Sequence, residues 1–235
     1  MNRETARVSL PWKRLVAELA VIVAGVLIAL AADSWWEQRK ERRQAEEYLQ
    51  QLLNDFRQTE RQLKNAIGGD TRKFESASRV IDRAYRGHFP PADSLDLPTG
   101  YDFFLPPTGT LTALVQGGDL RLLDSDTLRF ELVAYASLVD DIKTVLRHSE
   151  TMIWNSTERI ILGRARHSQS ALRRATNDVS AWGQVDVAGT LNDPEVISAL
   201  QVQAAASQIR IFNLGRLEEP TGRLIRLIQA ELGNQ

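Results

Sequence analysis

The chain holds three histidines, His88, His148 and His167, and no cysteine. A metal site needs imidazole, thiolate or carboxylate ligands on one face, typically two His at i and i+4. No two of these histidines stand in that relation, so no metal site is assigned. Without cysteine there is no thiolate nucleophile, zinc knuckle, iron–sulfur cluster or disulfide. The phosphate-cradling P-loop, the dinucleotide glycine fingerprint and the nucleophile elbow are all missing. Ser, His and Asp occur without the frame of a catalytic triad. Asp140-Asp141 and Glu218-Glu219 are adjacent carboxylates, but helix neighbours diverge by about 100°, so neither pair shares one cleft. They read as solvated faces. The sequence therefore assigns no catalytic residue and no cofactor, and it reads as a non-enzyme; a hydrolase is the least favoured alternative.

Other polar features invite chemistry. Glu18 stands inside an apolar run, where a carboxylate marks a proton or partner contact by default. Arg14 lies four residues earlier on the same face, so a snorkelling pair at the membrane edge is the simpler reading. Arg159, Arg164, Arg166, Arg173 and Arg174 form a local basic bias that could meet acidic lipid or an acidic partner. No aromatic interleaving accompanies it, which argues against nucleic acid. A solvated helix end favoured by the dipole, followed by a basic loop, is the simpler reading. Asn155-Ser156-Thr157 matches a glycosylation acceptor, but within a predicted helix it reads as chance.

The elements that would position these groups begin with the apolar run. The 235 residues carry a net charge of −1 and a mean hydropathy of −0.27, values of an ordinary soluble domain. That average conceals Leu15 to Ala32, apolar except for Glu18. Eighteen helical residues reach about 27 Å, close to the ~30 Å hydrocarbon core. Trp12 precedes the run and Trp35 and Trp36 follow it, as interfacial aromatic anchors do. Residues 1–14 make a basic tail and 15–36 the predicted transmembrane helix. Ala29-Leu30-Ala31 imitates a signal-peptidase site, but no helix breaker precedes it, so an uncleaved anchor is favoured. Gly25 and Ala29 form a small-xxx-small step that would let two helices approach closely. Lys and Arg residues are equally numerous on both flanks. Lys13 and Arg14 touch the run directly, which favours a cytoplasmic N-terminus and an external domain.

Glu18, the run Val21-Ile22-Val23-Ala24-Gly25-Val26-Leu27-Ile28-Ala29-Leu30, then Ser34-Trp35-Trp36-Glu37, Glu47-Tyr48-Leu49 and Leu52 resemble the opening of an uncharacterised bacterial family of single-pass membrane proteins. The later stretch Thr110-Leu111-Thr112-Ala113-Leu114-Val115-Gln116-Gly117-Gly118-Asp119-Leu120 is similar too. The family pattern after the span is Asn-Trp-Asn-Glu, from which Ser34 and Trp36 depart. The resemblance implies a helical soluble part and a membrane location, and supplies no activity.

Beyond Trp36, Ala45, Leu49, Leu52, Phe56, Thr59, Leu63 and Ala66 recur at alternating steps of four and three, a heptad-like seam. Phe74, Ala77, Ile81 and Ala84 continue it; Gly68-Gly69 could kink or end a helix, and one long helix to about Tyr85, with room for a bend there, is predicted. The proline-rich stretch 87–107 reads as a loop pinned by Tyr101, Phe103, Phe104 and Leu105, with a binding loop as the alternative. Thr108–Gln116 is a short helix closed by Gly117-Gly118. Asp124-Ser125-Asp126 caps a helix running to about Arg166. Its stripe is Leu128, Leu132, Tyr135, Leu138, Ile142, Val145, Leu146 and Met152. Residues 167–192 are irregular, with room for a short helix. Asp193-Pro194 opens the last helix, whose apolar members include Val196, Leu200, Ile209, Phe212 and Leu214, and which Pro220 should bend or break. The fold class is all-α: an N-terminal transmembrane helix continuing into a long helix, packed with two further long helices as an antiparallel bundle within 37–235.

Such a chain fits a membrane-anchored helical scaffold or interaction protein. Its partners would be the lipid bilayer, a second copy through the anchor and helix 45–66, or a membrane or envelope protein. The alternative is an extracytoplasmic ligand sensor that signals through a partner, by analogy of architecture alone.

Overall fold

Apolar residues at steps of three and four grow into three long helices, and short capped segments join them. The computed structural model describes residues 12–89, 97–98, 104–167 and 186–233. Helix α1 spans Trp12–Tyr85, α2 Gly109–Gly117, α3 Asp126–Arg166, α4 Val187–Asn192 and α5 Pro194–Gly233, with a 3-10 turn at Asp119–Leu122. No strand occurs among the described residues. The chain divides into two compact units, residues 1–48 and 49–235.

In the second unit the core is one continuous heptad pattern on all three long helices. On α1 it runs Leu49, Leu52, Phe56, Thr59, Leu63, Ala66, Asp70, then Ala77 and Val80, all buried. On α3 it runs Leu128, Leu132, Tyr135, Val139, Ile142, Leu146, Ser149, Ile153, Ser156, Ile160, Gly163 without a break. On α5 it runs Val196, Leu200, Gln203, Ser207, Arg210, Leu214, Leu217, Thr221, Leu224, Ile228, Glu231. A strict seven-residue repeat keeps each seam facing its partners. Each fully buried Leu or Ile contributes about 1.5–3 kcal/mol. The 41 residues of α3 and 40 of α5 reach about 60 Å each.

The contacts fix the directions. Asp70 meets Arg210 and Tyr85 meets Gln201, so α5 runs antiparallel to α1. Tyr135 meets Thr221 and Glu150 meets Arg210, so it is antiparallel to α3 as well. Phe56 packs edge-on against Tyr135, with ring centroids 5.1 Å apart. Together with the shared partner Arg210, this puts α1 and α3 in the same direction. The antiparallel arrangement read from the sequence thus holds for α5 against each of the other two. The connection from 86 to 125 carries the chain back to the Leu49 end before α3 begins. There Thr110 Oγ1 donates to Asp55 Oδ2 at 2.6 Å, and Leu111, Leu114 and Leu123 are buried.

The helix ends follow their local chemistry. Ser125 Oγ accepts from the Leu128 N–H, Asp193 Oδ1 accepts from the Glu195 N–H, and Gly118 closes α2 at φ +76°. The short helix foreseen in 167–192 is α4. Both helices that carry a potential breaker continue through it, as expected of one long helix to Tyr85 and of a last helix of about 40 residues counted through Pro220. Helix α1 passes through Gly68-Gly69, with the buried Ala66 and Asp70 on either side. Helix α5 passes through Pro220 because buried Leu217, Thr221 and Leu224 hold both halves against the same core. Of the loop 87–107, Leu97 and Phe104 are buried, whereas Leu105 is 74% exposed rather than pinned. Tyr101 and Phe103 lie outside the described residues, as do Arg173 and Arg174.

Candidate functional site: an exposed apolar helix and a buried polar layer

The N-terminal part of α1 carries every residue that the sequence singled out for membrane contact. From Glu18 to Lys40 each residue is exposed. Among the described residues one helix is long and apolar enough to cross a membrane, and the 18-residue window that qualifies it has a mean hydropathy of 2.0 with none of it buried. Val21, Ile22, Leu27 and Ile28 are each more than 60% exposed, as a core helix is not. Trp12, Trp35 and Trp36 are exposed at its two ends, and the Arg39 guanidinium lies over the Trp35 ring, 5.4 Å from its centroid. Glu18 and Ala29 are exposed, and a Cβ added to Gly25 would meet nothing within 4 Å. The Arg14 side chain, the expected partner of Glu18, lies outside the described side chains.

A second arrangement was not foreseen. Halfway along the three-helix unit the apolar heptads give way to a polar layer. Arg210 of α5 is fully buried and its Nε donates to Asp70 Oδ2 of α1 at 2.8 Å. Its Nη1 approaches Glu150 Oε1 of α3 at 3.4 Å, and Lys73 Nζ lies 3.9 Å from Asp70 Oδ1. Two cations thus meet two carboxylates from three helices. Ser149, Gln203 and Ser207 are buried beside them on the same seams, and Ser149 Oγ turns back to the Val145 carbonyl. The Gln203 amide and Ser207 Oγ make no hydrogen bond to any described residue. An ion pair at this depth adds little net stability, because removing two charges from water offsets their attraction. What it does impose is alignment: sliding one helix by a heptad would strand a charge against Leu or Ile.

Apolar packing resumes past this layer, where Ala77, Val80, Ile160, Leu191, Val196 and Leu200 form one cluster with Leu97. Gly163 of α3 packs directly on Val196 of α5, so that an added Cβ would overlap Val196 Cγ2. The end of the bundle is tied by charge. Arg166 reaches Asp193 Oδ2 and Glu195 Oε2, and His167 Nε2 lies 3.2 Å from Asp193 Oδ2. Burial pushes the Asp193 carboxyl up. The Glu195 N–H, the His167 contact and the Arg166 charge outweigh that and hold it below its ordinary value. Arg166, part of the sequence's basic cluster, is therefore already matched by two carboxylates. At the other end burial raises the Tyr135 hydroxyl, against its hydrogen bond to Thr221. His88, His148, Asp140, Asp141, Glu218 and Glu219 are exposed, and no group of three metal-binding side chains comes together among the described residues.

The signal for the polar layer was in α5. Its true seam is the 4-3 series through Gln203, Ser207 and Arg210, whereas the more apolar Ile209 and Phe212 face outward at 38% and 70% exposure. Ranking residues by hydropathy alone selects the wrong face. No protein-family model, curated protein or solved structure matches the chain.

Proposed function

We propose that this protein is a single-pass, membrane-anchored helical scaffold that works through interaction, with its N-terminus cytoplasmic and residues 37–235 outside. One observation carries this: an apolar helical stretch of spanning length, bracketed by Trp12 and Trp35-Trp36, has none of its described residues buried by the chain. An apolar surface of that size needs lipid or another protein to cover it. The same helix runs on past Trp36 without a break, which favours an anchor over a cleaved leader.

The seam 49–66 is covered by the chain's own helices, so a second copy would meet the first through Gly25 and Ala29 in the membrane rather than through that seam. A ligand sensor finds less support. Within residues 49–235 the grooves lined by α2 with α3 and by α3 with α5 measure about 110 and 210 Å³, below the ~300–1,000 Å³ of small-molecule sites, and the larger groove of about 440 Å³ lies beside the apolar stretch on Trp36–Glu47 instead. Fractionation of cells expressing the full chain tests the anchor. The protein should stay in the membrane pellet through high salt and alkaline carbonate, and leave it only with detergent. Full recovery in the carbonate supernatant would overturn the proposal.

A further inference from the structure

Just beyond the apolar stretch, α1 carries four cations in five residues: Arg39, Lys40, Arg42 and Arg43. All four are exposed, and none is paired with a carboxylate among the described residues. Lys64, Arg79, Arg86, Lys143 and Arg223 by comparison each have a carboxylate within 4 Å; what marks residues 39–43 is that four such cations stand together beside the apolar stretch. At about 100° per residue the four cations fall with Trp35 and Trp36 in one sector of roughly 160°, and Glu37 and Glu41 fall opposite. Trp36, Arg39, Lys40 and Arg43 line a groove of about 440 Å³ on this face, continued by Gln44 and Glu47.

Position along the helix adds to charge. Residues 35–43 lie about 5–17 Å beyond Ala32, and the headgroup layer extends some 5–8 Å beyond the hydrocarbon. Trp35 and Trp36 then sit among the headgroups, and Arg39 and Lys40 lean back to the phosphates on their long stems. Arg42 and Arg43 remain within about one Debye length, ~8 Å, of that plane.

We infer that the Trp35–Arg43 face of α1 is a binding surface for the headgroups of anionic phospholipid, which it gathers around the anchor. This rests on the membrane proposal above, and the test separates the two. The full chain, with Trp12, Trp154 and Trp182 changed to Phe so that only Trp35 and Trp36 report, is reconstituted in vesicles of four parts phosphatidylcholine to one part phosphatidylglycerol. Brominated acyl chains, which quench tryptophan, are placed on one lipid or the other. Brominated phosphatidylglycerol should quench as though it made up about half of the lipid at the two tryptophans rather than one fifth, the result of the roughly fivefold exchange ratio that one Lys or Arg at the headgroups supplies. The enrichment should fall at high salt and vanish in R39Q/K40Q/R42Q/R43Q. It should survive in K64Q/R79Q/R86Q/K143Q, which removes the same charge from the bundle. Quenching by both lipids in proportion to their mole fractions overturns the headgroup surface and leaves the anchor standing. Quenching by neither overturns both.

Discussion

Arg210 has no exposed surface and stands between carboxylates from two other helices. Removing one partner leaves the other buried charge to its longer contact, Glu150 for Arg210 or Lys73 for Asp70, so Asp70→Asn or Arg210→Met should each cost up to about 3–5 kcal/mol in reversible urea unfolding. The double change Asp70→Leu with Arg210→Met removes both charges and should recover most of that loss. Single changes costing under about 1 kcal/mol would mean that the charges are solvated after all. Asp193 makes a pH prediction. Its carboxyl is held below the ordinary value, so its contribution is complete above about pH 4 and is lost as pH falls through the depressed folded value. The stability gap between the wild type and Asp193→Asn should narrow on acidification, as melts at stepped pH would show; a gap that widens would contradict this assignment. Neither site was legible as a site. A charged residue at a seam position looks like any other helical Arg or Asp until the seam is followed through it, and its partner lies 140 residues away.

At the scale of elements much more was readable. The ends of α1, α2, α3 and α5 fell where Tyr85, the Gly117-Gly118 pair, Ser125, Arg166 and Asp193-Pro194 indicated, because caps act within one turn of the residue that bears them. Gly68-Gly69 and Pro220 do not end their helices, since they weaken a helix locally whereas packing on both sides decides whether it continues. Close packing at Gly163 gives a further test. Gly163→Ala gains helix propensity, yet its new methyl would overlap Val196, so a net loss of about 1–3 kcal/mol is expected. Adding Val196→Ala should restore most of the room, making the pair strongly non-additive. If Gly163→Ala alone raises the melting temperature, the two helices are further apart than described.

The whole bundle sets two parallel helices, α1 and α3, against one antiparallel helix, α5. A chain free of cysteine can be tested for this directly. Cysteines introduced at Tyr85 and Gln201, whose side chains meet at 3.1 Å, should be joined by a short bismaleimide within one molecule. Cysteines at Tyr85 and Arg223 should not. Reversal of that pattern would invert α5. Direction was the part of the fold that the sequence held least clearly, because a loop's length does not say which way it leads. The same topology has a consequence for biosynthesis. The seam of α1 leaves the ribosome first, but the residue that meets Asp70 follows 140 residues later, about 7–28 s at 5–20 residues per second. For that interval Leu49, Leu52, Phe56 and Leu63 lack the cover of α5, and until α3 is made Phe56 lacks Tyr135 as well. A nascent chain of this design has a long window in which a chaperone, or the same seam on a neighbouring nascent chain, competes with its own C-terminal helix.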